Sequence, residues 1–337
     1  MKFNANRVPR RALLLCLAAS IALNLGLAAL LLDDHQFRSY GLLHPAFSKL
    51  SDEDSQLIMF RFSRNHNQLQ DQLKRDYPQF AQGTAGLYFE TLNNGGSVGI
   101  NHDLRLMPGS LRKIALLAAT LKSVEQGRLR LSDIVEVLDR HLDLALGVQN
   151  AVGPLAARGS GQKLTIRQLV EAIAFHSDNT ATLALSEKVG YEVYADAMFA
   201  LGLSWKTWRE NFEGNRMTEF PASPYEFAQI FRSLYFSSYL RPRHSQELLD
   251  LLGRSEFRDG IPAGLPSGIP APHKTGDWRY GDHHHDCGIV YYPDKPYVLC
   301  IMTRGMDKAS ANQMIREISR VVFEYIQSIE KATLPAE

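Results

Sequence analysis

Positions 12–32 are apolar almost without interruption, broken only by Ser20, Asn24 and Gly26, with Lys2, Arg7, Arg10 and Arg11 before them and Asp33 and Asp34 after. A helix of that length spans roughly 30 Å of hydrocarbon, and the basic flank keeps its side in the cytoplasm. The pattern predicts an uncleaved membrane anchor with the remainder of the chain exported. A cleaved signal peptide, cut near Gly26-Leu27-Ala28, is the competing reading; the length of the run and its Leu-Leu-Leu end count against it. Cys16 follows Leu15, not the small residue that precedes a lipidated bacterial cysteine.

Beyond the anchor the pattern becomes that of a globular chain. Residues 33–79 read as a stalk and a packing helix, with Ser51 and Asp54 in capping-box spacing and Leu57, Ile58, Phe62 and Leu69 at roughly helical intervals. GTAGLYFETL and SVGINHD, joined by NNGG, predict a β-hairpin. From Lys113 to Val124 the chain has no clear polar face, so a helix opening at Ser110 is buried on most sides and stops at Gly127. In LTIRQLVEAIAFH, Thr165 and Gln168 form a capping-box pair and Ile166, Leu169, Val170 and Ile173 share a face. That helix breaks at HSDN and resumes as TATLALSEKVG, stopped by Gly190. Near the C-terminus, Asp286–Tyr292 and Tyr297–Thr303 predict two strands turned at Pro293–Pro296, with Lys274-Thr275-Gly276 on a preceding strand at a sheet edge.

Composition narrows the classes. The chain has 337 residues, 45% of them hydrophobic, so it can bury a large core; its net charge of +1 and lack of a basic stripe argue against a nucleic-acid binder. Cys16, Cys287 and Cys300 offer neither a disulfide framework nor metal-ligand spacing. Cys287 and Cys300 fall on neighbouring strands, but the turn does not set them clearly opposite and no bridge is predicted. His283, His284 and His285 alternate faces if extended and cannot converge on one ion, so they read as a polar loop between strands. No metal and no cofactor is expected.

Ser110 and Lys113 hold the candidate chemistry. Three residues apart in a first helical turn, they share a face. The helix N-terminus and burial both disfavour an ammonium there, which favours a neutral amine beside a hydroxyl, a base with its nucleophile. Ser-x-x-Lys recurs at Ser160/Lys163 and Ser328/Lys331, so the pair alone does not separate this reading from a capping serine beside a snorkelling lysine.

Order and context decide it. Ser110/Lys113, then Ser177/Asp178/Asn179, then Lys274/Thr275/Gly276 reproduce the Ser-x-x-Lys, Ser-Asp-Asn and Lys-Thr-Gly series of class A β-lactamases and penicillin-binding proteins. MPGSLRK, KLTIRQLVEAIAFHSDNTAT, IPAGLPSGIPAPHKTG and CGIVYYPDKPYVLCIMT resemble class A segments as well, and the resemblance covers roughly residues 80–330. It implies an α+β fold, β-lactamase/transpeptidase-like, in which an antiparallel five-stranded sheet built from both ends of the chain is flanked by helices, with an all-α lobe inserted. The expected organisation is a basic cytoplasmic segment at 1–11, the anchor at 12–32, the stalk and packing helix at 33–79 and a catalytic domain at 80–335, its helical lobe at about 108–255.

The same resemblance implies roles. Ser110 attacks the amide carbonyl, Lys113 takes its proton and Ser177 passes a proton to the leaving nitrogen. Asn179 positions the substrate amide and Lys113. Lys274 supplies positive potential, Thr275 binds the substrate carboxylate, and Gly276 lets a ligand lie close to backbone. The Ser110 and Asp277 amides receive the oxyanion, and Arg279 is a further candidate for the carboxylate. Class A enzymes activate the deacylating water with the glutamate of a Glu-x-x-Leu-Asn loop; here that region reads WRENFEGNRMTEFPASP, without the Leu-Asn pair. Glu213 stands nearest the expected place, and Glu210 competes with it. Expected partners are a β-lactam or a D-Ala-D-Ala peptide and the membrane through the N-terminal helix, with no nucleic acid, and the protein is expected to be a monomer. A D,D-peptidase and a non-catalytic wall-binding or sensor domain are the alternatives.

Overall fold

The structure, a computed structural model, describes residues 66–93, 95–149, 152–203, 220–278, 280–293 and 295–333. The anchor, most of the stalk, Glu210, Glu213 and Arg279 lie outside them. Helix α1 (66–76) leads into β1 (Ala85–Thr91) and β2 (Ser97–Ile100), and a 3-10 turn at Gly109–Arg112 opens α2 (Lys113–Glu125). The chain then runs through β3 (Ile134–Glu136), α3 (Asp139–Gln149), β4 (Lys163–Thr165), α4 (Ile166–His176), α5 (Asn179–Val189) and α6 (Tyr191–Ala200). After α7 (Pro224–Tyr235) and α8 (Pro242–Leu252) it returns to strands in β5 (His273–Trp278), β6 (His283–Val290) and β7 (Tyr297–Thr303), and ends in α9 (Lys308–Thr333).

The strands from both ends of the chain form one antiparallel sheet in the order β2-β1-β7-β6-β5. β1 is buried along its whole length because β2 and β7 flank it and both of its faces are covered. On one face Tyr88, Cys287, Ile289, Val298, Cys300 and Met302 pack against the helices between β2 and β5. On the other, Leu87, Phe89, Tyr297, Leu299 and Ile301 meet Leu69 and Leu73 of α1 and Ile315, Ile318 and Val322 of α9. This side-chain alternation with period two feeds two cores from one sheet. β5 is left at the edge, paired only with β6.

Local signals set the helix boundaries that matter for the site. The Thr165 hydroxyl accepts the Gln168 amide at 3.2 Å while Gln168 Oε1 accepts the Thr165 amide at 2.8 Å, closing the capping box that starts α4. Ser223 and Glu226 do the same for α7. In α2 every residue from Lys113 to Leu121 is buried, as the absence of a polar face requires.

Three expectations change. The turn containing Ser110 is 3-10 rather than α-helical, because Gly109 has φ +53° and the α-helix begins only at Lys113. The three histidines do not form a loop: β6 begins at His283, and the histidines open it. Cys287 and Cys300 stand directly opposite each other in the β6–β7 ladder and are joined by a disulfide. The register follows from the pair Val290–Tyr297, which closes a wider connection than the proline spacing indicates and aligns the cysteines one for one.

Candidate active site

Three elements meet at the site: the 3-10 turn that opens α2, the link between α4 and α5, and the edge strand β5. Lys113, the first residue of α2, is only 1% exposed. Its ammonium position is enclosed by acceptors: Nζ reaches the Ser177 carbonyl at 2.6 Å, Asn179 Oδ1 at 2.7 Å and Ser177 Oγ at 3.1 Å. Burial pushes its pKa well below the usual lysine range, and the positive charges of Lys274 and Arg112 add to the effect.

Ser177 holds a left-handed conformation, φ +53°, which ends α4 and presents its carbonyl and its hydroxyl to the same lysine. A non-glycine residue held there costs on the order of 1 kcal/mol and persists only where its surroundings over-determine it. They do so through Asp178. Its Oδ1 caps α5 by accepting the Ala181 amide at 2.8 Å, and its Oδ2 accepts the Leu155 amide at 2.9 Å. The Asn179 amide donates to the Val152 carbonyl, and a Cβ on Gly153 would sit 2.3 Å from Asp178 Oδ2. Residues 152–155 therefore clamp the link.

From the other side, fully buried Lys274 donates to Ser177 Oγ at 2.9 Å and to its neighbour's carbonyl, Thr275 O, at 3.2 Å, with the Phe257 ring 5.7 Å away. Burial brings its pKa down to about 8, against the opposing pull of Asp277 and Asp286. Ser177 Oγ thus lies between two lysine nitrogens. Ser110 and Thr275 are each partly exposed at this cleft, and the Lys113 amide donates to the Ser110 carbonyl.

The turn and β5 touch through backbone. A Cβ on Gly109 would fall 2.2 Å from Asp277 O, and one on Gly276 would fall 2.3 Å from Pro108 O and 2.9 Å from Leu111 Cγ. Only glycine allows that approach at either position. The Asp277 side chain belongs to a different network: burial opposes its ionisation, but hydrogen bonds from His284 at 2.7 Å and Lys308 at 2.9 Å outweigh it and hold the carboxyl down at about 2.

Lys113, Ser177, Asn179 and Lys274 are therefore joined by hydrogen bonds, with Ser110 one turn from Lys113 and with Gly276 and Asp277 against the turn. Glu213 lies outside the described residues, as do Glu210 and Arg279. The clamp formed by Asp178 with Gly153 and Leu155 has no signal in the sequence, whereas the close approach of the turn to β5 has one, the glycine at 109 directly before the serine.

The model of the beta-lactamase enzyme family matches residues 67–326. The chain belongs to that family. It is a serine hydrolase of the serine β-lactamase-like superfamily. Among curated relatives it is 26% identical over 226 residues to Beta-lactamase 3 of Bacillus cereus, covering 64% of this chain and 71% of that protein. It is 23% identical over 253 residues to Beta-lactamase 1 of Streptomyces cacaoi, covering 70% and 78%. Among solved structures, PBP-A superposes with a TM-score of 0.65 at 25% identity, covering 79% of this chain and 97% of that one. A mutant of PBP-A, captured as an acyl-enzyme complex with penicillin G, matches with a TM-score of 0.66 at 25% identity.

Proposed function

We propose that this family member is a β-lactamase of class A type, tethered to the membrane by the helix at 12–32 with its catalytic domain outside the cytoplasm, and that it opens β-lactam amides through an acyl-Ser110 intermediate. The observation that supports the reading most is the placement of Ser177 Oγ, 3.1 Å from Lys113 Nζ and 2.9 Å from Lys274 Nζ. A neutral Lys113 has two N–H groups and one lone pair. The Ser177 and Asn179 oxygens take the N–H groups, which leaves the lone pair for a hydroxyl proton.

In this reading Ser110 Oγ bonds to the lactam carbonyl carbon as its proton passes to Lys113. The developing oxyanion is held by the Ser110 and Asp277 amides. The proton then travels from Lys113 through Ser177 to the ring nitrogen, and the C–N bond breaks. Charged Lys274 polarises the Ser177 hydroxyl and, with the Thr275 hydroxyl, favours the substrate carboxylate. Glu213 activates the water that hydrolyses the ester.

A D,D-peptidase would use the same acylation on peptidoglycan stem peptides. The missing Leu-Asn pair after Glu213 and the likeness to PBP-A favour that second reading. Steady turnover of a chromogenic cephalosporin supports the β-lactamase; one equivalent of adduct without turnover supports the peptidase.

Two further results are expected. As pH rises through about 8, Lys274 loses its positive charge and kcat/KM falls. Lys274→Arg, which stays charged, keeps its lower rate across that range. A wild-type profile that remains flat well beyond that pH contradicts the assigned charge. The full-length protein is also expected to sediment with membranes, its catalytic domain open to protease added from outside. Recovery of a soluble form starting near residue 29 would instead identify a cleaved signal peptide.

A further inference from the structure

His285 takes no part in the chemistry above, yet it is 3% exposed and both ring nitrogens are engaged by main chain. The Thr303 amide of β7 donates to Nδ1 at 3.1 Å, and Nε2 lies 2.8 Å from the Met107 carbonyl. An amide only donates and a carbonyl only accepts, so the ring is neutral with its proton on Nε2. Burial, with His283 adding to it, pushes the pKa down to about 4, which agrees with a ring that stays neutral.

Met107 directly precedes the Pro108–Ser110 backbone that presses against Gly276 and Asp277. Apart from the Leu111 side chain against Gly276, that contact is backbone on backbone, and β5 is anchored to the sheet along one edge only. The bond from His285 comes from β6, the strand that carries β5. It therefore couples the turn holding the serine to the strand holding the second amide through a third element.

We infer that His285 is a positioning residue for acyl transfer: by holding the Met107 carbonyl to β6, it sets the spacing between the Ser110 and Asp277 amides. The inference rests on the reading of those amides as oxyanion donors. Removing one such donor outright costs about 10² to 10³ in rate, and misplacing it costs less.

Two substitutions separate the functions of the ring. His285→Gln keeps a donor at the reach of Nε2, whereas His285→Asn keeps only an acceptor at the reach of Nδ1. In single-turnover reactions of the full chain with a penicillin, Asn is expected to slow acylation about tenfold or more while the dissociation constant of the non-covalent complex stays within about twofold. Gln is expected to recover most of the rate. Equal acylation by the two variants, or a loss confined to binding, overturns the inference. If the Asn variant does not fold, 15N NMR of the wild-type imidazole decides: an Nε2-protonated ring bonded at both nitrogens supports the role, and an Nδ1-protonated ring overturns it. A wild type that shows neither an adduct nor opening of the lactam would sink the serine-hydrolase chemistry itself, whereas a wild type that acylates alongside equal variants sinks only the role of His285.

Discussion

Incubation of the full chain with benzylpenicillin is expected to add the mass of one intact penicillin, mapped by peptide mass spectrometry to Ser110, and Ser110→Ala is expected to add none. Attack on the lactam transfers the serine proton to nitrogen and retains both halves of the opened ring, so the whole molecule stays on the protein. Removing the nucleophile of a comparable serine hydrolase costs about 10⁶ in rate, far beyond any effect on folding of a partly exposed hydroxyl. The variant should therefore keep its thermal midpoint while losing the adduct. An adduct that persists in Ser110→Ala removes the mechanism assigned to this cleft. Lys113→Ala is a poorer first test, because it leaves Asn179 Oδ1 and the Ser177 carbonyl without the buried donor they share.

The elements with strong local signals were legible in the chain. Asn and Gly mark the β1–β2 hairpin, Thr165 with Gln168 starts α4, and Gly190 stops α5; each signal involves residues within four positions of one another. What the sequence does not carry is the outcome of long-range registry. Cys287 faces Cys300 because of how the β6–β7 connection closes, and proline positions alone do not determine that closure. The histidine triplet reads as a loop in the sequence because polar residues at the start of a strand resemble one until their partners are known. Here His284 meets Asp277, whose other oxygen holds Lys308, while His285 meets Met107 and Thr303 across distances in sequence that no periodicity spans. In the site, the ordered motifs name the side chains that meet, Lys113, Ser177, Asn179 and Lys274. The clamp of residues 152–155 on Asp178 and the glycine-on-backbone contact at Gly109 and Gly276 needed three dimensions, since each joins segments that share no local pattern.

The second large effect concerns the fate of the acyl ester. Such an ester persists unless a carboxylate lies about 3 Å from a water that can reach its carbonyl, and general-base assistance is typically worth 10² to 10⁴ in rate. In the proposed mechanism Lys113 and Ser177 carry the acylation proton, and the deacylating water takes a base of its own, as in the class A enzymes the sequence resembles. The base must then come from outside the hydrogen-bonded cluster, and Glu213 is the candidate, followed by Asn215 in the chain. Glu213→Gln removes the base and keeps the shape. Wild type is expected to hydrolyse a chromogenic cephalosporin steadily, whereas Glu213→Gln releases a burst of about one equivalent and stalls, its deacylation slowed about a hundredfold or more. Equal steady-state rates in the two proteins would clear Glu213 and turn attention to Glu210. A burst that stalls in the wild type as well would mean that acylation is the end of the reaction with β-lactams, and the D,D-peptidase reading would replace the β-lactamase.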